Sequence, residues 1–231
     1  MRLSSVAAGL ALVLLVFTGV TAQTGVVNVR TGIYHGKLLI PDDSTSEGRG
    51  VFAAGEMYLN EFPIAFSGSY VSFTSATAYY PETVSSADLS FYEAEYPYDR
   101  RIRAVDVLVG YRLSGTAAAG AGWAAFVYTG EGAGYTGYRD FRSQGLAFGA
   151  FARLPIDRRF EAEVKVFHVP AADRDAAYGD GKITGFSMAG AYRVNETIGI
   201  YAGYRSISVN LDETGERFNT GGLTAAVAFS F

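Results

Sequence analysis

The chain offers few carriers for chemistry. Among its 231 residues are two histidines, His35 and His168, and no cysteine. Lack of thiols excludes a disulfide scaffold, a thiolate metal site and a lipid-modified cysteine. His168 is followed by Asp173, Asp175 and Asp180. A histidine near carboxylates has the make-up of a general base, and clustered carboxylates suit a hard divalent cation. Neither arrangement is complete, because the acids lack the spacing of a calcium-binding loop. His168 therefore reads as an interfacial polar residue and the acids as a solvated loop, with hydrolysis through His168 kept as an alternative. Gly132-x-Gly134-x-x-Gly137 matches a dinucleotide fingerprint in letters, but no strand–helix–strand unit surrounds it. Gly185-Phe186-Ser187-Met188-Ala189 approaches a nucleophile elbow without its last glycine or its helix. Asn195-Glu196-Thr197 is a glycosylation sequon by pattern alone. No cofactor is expected.

The ionised side chains that do follow a rule obey a period of two. In 159–169, Glu161, Glu163 and Lys165 alternate with Ala162, Val164 and Val166. In 100–112, Asp106 and Arg112 share a face with Ala104, Leu108 and Gly110, opposite Val105, Val107, Val109 and Tyr111. Glu56 opposes Val51, Ala53, Met57 and Leu59; Arg30 opposes Val27, Val29 and Ile33; Arg193 opposes Phe186, Met188 and Tyr192. A small residue, Tyr and Arg recur at 110–112, 137–139, 191–193 and 203–205, the last adding Arg205. Period two means strands with two faces. Many strands carrying charge on one face and hydrocarbon on the other must hide one of the two.

Ten segments can be cut by alternation and turn chemistry: 26–40, 49–59, 63–78, 100–112, 116–128, 138–154, 159–169, 182–193, 197–210 and 217–231. Eight remains the alternative if 49–59 and 63–78 are misjudged. Short connections (60–62, 114–115, 155–158, 195–196) alternate with long ones (41–48, 79–99, 129–137, 170–181, 211–216). Residues 1–22 read as a secretory signal: Arg2, an apolar run over 6–17, then Val20-Thr21-Ala22 before Gln23. That run falls short of the ~20 residues a spanning helix needs, leaving 23–231 as one domain. The net charge of −4 argues against a nucleic-acid partner.

The last strand ties these points together. Leu223, Ala225, Val227, Phe229 and Phe231 alternate with Gly222, Thr224, Ala226, Ala228 and Ser230, and the sequence ends on Phe231. Thr224 to Phe231, with its aromatic-x-aromatic ending, resembles the C-terminal assembly signal of bacterial outer-membrane β-barrel proteins; Ala226 stands where that family usually has Gly. The resemblance implies an all-β, up-and-down antiparallel transmembrane barrel in the bacterial outer membrane. It also implies recognition by the barrel-assembly machinery through Thr224, Phe229 and Phe231, contact with outer-membrane lipid, and short turns on the periplasmic side. Outward-facing Arg or Lys at mid-membrane costs about 2–4 kcal/mol. Ionised side chains are therefore expected inside and bulky hydrocarbon outside, with Arg30, Glu56, Asp106, Arg112, Glu161, Glu163, Lys165, Arg193 and Arg205 forming a paired network across a narrow lumen.

Three functions fit such a chain: a structural or narrow-passage barrel, a surface binding protein taking an extracellular ligand through 79–99 and 170–181, and an outer-membrane hydrolase. Outer-membrane proteases of the omptin type and lipid A deacylases set a histidine and acids near the height expected for His168, but neither family's motif is complete here.

Overall fold

The computed structural model describes residues 25–39, 45–75, 78–81, 95–131, 141–174, 181–211 and 217–230. The expected signal segment 1–22, the Gly132–Gly137 motif, Asp175, Asp180 and Phe231 lie outside the described residues. The strands are β1 (Gly25–Leu39), β2 (Thr45–Leu59), β3 (Ile64–Ser75), β4 (Ala78–Pro81), β5 (Glu95–Arg112), β6 (Ala117–Glu131), β7 (Phe141–Pro155), β8 (Phe160–Arg174), β9 (Gly181–Arg193), β10 (Ile198–Leu211) and β11 (Arg217–Ser230). All pairings are antiparallel between sequence neighbours, except that β1 pairs with β11 and β3 with β5, which closes ten long strands into a cylinder. Closure leaves no open edge, so the backbone can sit in hydrocarbon with its polar groups paired. The short β4 pairs only with the start of β5, Ala78 opposite Tyr98. The connection expected over 79–99 is thus partly a ribbon continuing the wall of the cylinder.

Three of the short turns share one device. In Leu113–Ala117, Ile156–Phe160 and Val194–Ile198, an apolar N–H donates back to an apolar carbonyl four residues on. In each, the side chain of the second residue accepts two backbone N–H bonds. The Ser114 hydroxyl takes Thr116 and Ala117 (3.3 and 3.1 Å), Asp157 takes Arg159 and Phe160 (2.6 and 2.7 Å), and Asn195 takes Thr197 and Ile198 (2.9 and 2.7 Å). Short polar side chains compete well for nearby backbone donors, which is why they favour such corners. The sequon asparagine is consumed by this turn. Asp157 lies outside the membrane-spanning segments, and its two N–H donors hold its carboxyl below the ordinary value of 3.8.

One irregularity interrupts the wall. Between Val169 and Ala172 β8 carries one more residue than β9, and between His168 and Asp173 one more than β7. Pro170 lies in that interval and has no N–H to give the ladder, so the strand bulges there.

The outward face is largely hydrocarbon: Leu223 is 64% exposed, Leu146 58%, Phe148 49% and Val107 46%. Tyr111 and Phe160 stand exposed near the short-turn end, where the amphipathic Tyr111 ring suits a membrane interface. On the outward side of β1 to β3, Val27, Val29 and Met57 form a separate buried cluster with Leu59 and Phe66 packed against it.

Candidate functional site: a charged layer inside the barrel

Alternation sends the expected ionised side chains to the axis. Asp106, on β5, is fully buried; it accepts from the Ser69 hydroxyl at 2.6 Å and pairs with both Lys165 and Arg205. Arg205 also donates to the Ser69 hydroxyl, at 2.6 Å. Beside this triad, Arg30 pairs with Glu163, approaches Glu56 at 3.5 Å and lies 5.0 Å over the Tyr201 ring. Nearer the short-turn mouth, Glu161 pairs with Arg153 and Arg193.

The nine residues do not form one buried set. Arg30, Glu56, Asp106, Glu163, Lys165 and Arg205 are buried. Glu161 lies half-buried and Arg193, whose side chain is 44% exposed, sits at the mouth. Arg112 joins no ion pair among the described residues and donates instead to the Leu59 carbonyl at 2.6 Å. Sequence reasoning missed Arg153, which bridges the two carboxylate groups, 3.5 Å from Glu163 and 4.0 Å from Glu56. Its signal was available: Leu146, Phe148 and Leu154 face outward, so Phe151 and Arg153 must face in. Thr224 is buried and Phe229 half-buried, as two faces of β11 require.

The expectation that bulky hydrocarbon points only outward needs correcting. Above the charges, toward the long connections, the lumen is packed with rings. Phe141 meets Phe218 at 4.6 Å and Tyr128 at 5.6 Å between centroids, with Phe126 at 5.8 Å. Leu38, Phe73, Ile102, Ile183, Val209 and Leu211 complete this layer, each almost fully buried. The ring-packed level lies above the charged one, although Phe52 also stacks on Tyr201 within the charged level, and the buried Arg100 faces inward on β5 beyond Ile102. The cavity left beside the charged layer is about 20 Å³, room for about one water.

Other chemical candidates resolve as structure. The Phe167 ring lies where a Cβ on Gly185 would be, 2.0 Å away, so this glycine makes space for a ring rather than a nucleophile turn. Ser187 lines the small cavity. His168 faces outward, its Nδ1 3.0 Å from the Thr184 hydroxyl, and Asp173 lies beyond the bulge, also exposed. Among the described residues no cluster of His, Cys, Asp or Glu could hold a metal ion.

A closed antiparallel cylinder, with hydrocarbon over most of its outer face and a paired ionic layer inside, has the architecture of a transmembrane β-barrel. No protein-family model matches the chain, and no curated protein matches it. Among solved structures it is similar to the outer membrane protease OmpT from Escherichia coli, at 10% identity over 91% of this chain and 98% of that one, with a TM-score of 0.47. Ail, the attachment invasion locus protein of Yersinia pestis, is similar at 10% identity over 90% and 99%, TM-score 0.41. The Pseudomonas putida toluene transporter TodX is similar at 9% identity over 91% and 90%, TM-score 0.40. At this level the likeness concerns general strand architecture and carries no function across.

Proposed function

We propose that this chain is a structural barrel of the outer membrane whose lumen is closed to solutes. The observation that supports this is the double seal: a paired ionic layer with about 20 Å³ to spare, capped by a packed aromatic layer. A passage needs a continuous wetted path, and buried charges that pair with one another offer few counter-ion sites to a permeating ion. A filled lumen makes the cylinder rigid, so its work falls to the surfaces it holds in the membrane. The test is conductance of the refolded protein in planar bilayers. Silence at all voltages is expected; uniform steps that scale with salt would refute the sealed reading and restore the narrow passage. The hydrolase alternative draws no support from His168, which faces away from the lumen.

A further inference from the structure

Among the described strand residues, the outward face carries its cations at one end, although the turn residue Arg159 donates to Tyr192 at the other. Arg101 and Arg103 of β5 alternate with the inward Arg100, Ile102 and Ala104, which are buried; Arg142 of β7 stands between the buried Phe141 and Ser143; Arg49 of β2 is exposed. Register gathers these four. Arg49 and Arg101 pair on either side of Thr74, and Arg103 and Arg142 on either side of Val127. With strands about 4.8 Å apart, the members of each pair are about 10 Å apart, and Arg101 lies about 7 Å from Arg103 along its strand. None of the four has a carboxylate partner among the described residues. Among the described side chains, the nearby outward acid Glu47 is paired with Lys37 at 2.9 Å. At the short-turn end the outward strand positions are apolar or aromatic, among them Tyr111, Phe160, Ile198 and Val227.

Outward arginines are tolerable only near a membrane surface, where their cost falls from about 2–4 kcal/mol to about 0–1. Being arginines, they offer forked donors that fit phosphate oxygens two at a time. Below them the same outward rows become hydrocarbon: Val105, Val107 and Val109 under Arg103, and, after Gln144, Leu146 and Phe148 under Arg142. A cationic cluster continuous with an apolar wall fits a molecule with an anionic head and acyl tails. We propose that Arg49, Arg101, Arg103 and Arg142 bind the phosphate groups of glycolipid headgroups in the outer leaflet. This rests on the reading that the barrel spans the outer membrane with its short turns inward.

The test titrates the folded barrel in neutral detergent with lipopolysaccharide and with the same material dephosphorylated. Emission of the single tryptophan reports binding; Trp123 lies on the outward face of β6, opposite Val107 and Leu146. Saturable binding of the phosphorylated form is expected, weakening as salt screens the charges. The R101Q/R103Q/R142Q variant should bind on the order of 100-fold more weakly, near fivefold per cation removed. The matching lysine variant should recover part of that loss. Heat-dependent gel mobility and the lipid-free melting temperature of each variant establish that it is folded. Equal binding of the two glycolipid forms, or wild-type binding by the folded glutamine variant, would overturn the proposal. Wild-type protein that never inserts into vesicles, before any glycolipid is added, would overturn the membrane reading and this site with it.

Discussion

Replacing Asp106 with Asn tests the logic of the ionic layer most directly. Asp106 is fully buried between two cations, Lys165 and Arg205, which are themselves 6% and 4% exposed. Its carboxylate is the ion-pair partner of both. The asparagine keeps the shape and one acceptor for Ser69, so any loss comes from charge rather than a void. An ammonium and a guanidinium would then face each other in a dry interior. Breaking a buried pair by removing one partner typically costs 3–5 kcal/mol. With a urea dependence of about 2 kcal/mol per molar, the unfolding midpoint in lipid vesicles should fall by about 1.5–2.5 M. Adding Lys165→Met to Asp106→Asn should regain part of the loss, because one of the two unpaired cations is removed and Arg205 keeps the Ser69 hydroxyl. A drop below about 0.3 M in the single variant would mean that water reaches this layer and screens it, and the sealed-lumen argument would fail with it. Conductance should stay absent in Asp106→Asn, since the ring layer above is untouched.

Asn195→Ala should destabilise the folded barrel by about 0.5–1.5 kcal/mol, because two turn N–H groups lose their acceptor; Asn195→Asp should be close to neutral in the same urea titration. Gly185→Ala should cost about 1–3 kcal/mol through displacement of the Phe167 ring, and Gly185→Ala/Phe167→Leu should recover part of it. Asp157 binds its proton less readily when folded than when unfolded. Its contribution is therefore complete above about pH 4 and lost as pH falls through the depressed folded value; replacing it with Asn should flatten the acid limb of stability against pH, and an unchanged limb would contradict the turn geometry.

The strand count and the facing of most strands were legible because alternation is a local signal. Each strand found from the sequence matches an observed one to within a few residues, and Glu163 and Lys165 could be placed inward from Val164 and Val166 alone. The ring layer was equally encoded, since Phe218 and Thr220 share the parity of Thr224, but rings were assumed to seek lipid. The outward arginines follow from Val105 and Val107 by stepping back two residues at a time, yet charge was assumed to seek the lumen. In both cases a rule about side-chain chemistry overrode the geometry. The bulge at Pro170 was harder to place, because its register shift depends on the two neighbouring strands.

The two interior layers also answer different needs. Rings alone would fill the cylinder, but a period-two strand with hydrocarbon on both faces has no preferred side, and a slip of one residue would cost little. Six buried ionised groups drawn from β1, β2, β5, β8 and β10 remove that freedom. A one-residue slip of β8 would turn Glu163 and Lys165 to lipid, leaving Arg30 with Glu56 alone and Asp106 with Arg205 alone. The pairs add little net stability over a packed apolar core. Their contribution is to make every wrong register much worse than the right one, in the same strands whose outward faces are too uniformly apolar to decide it.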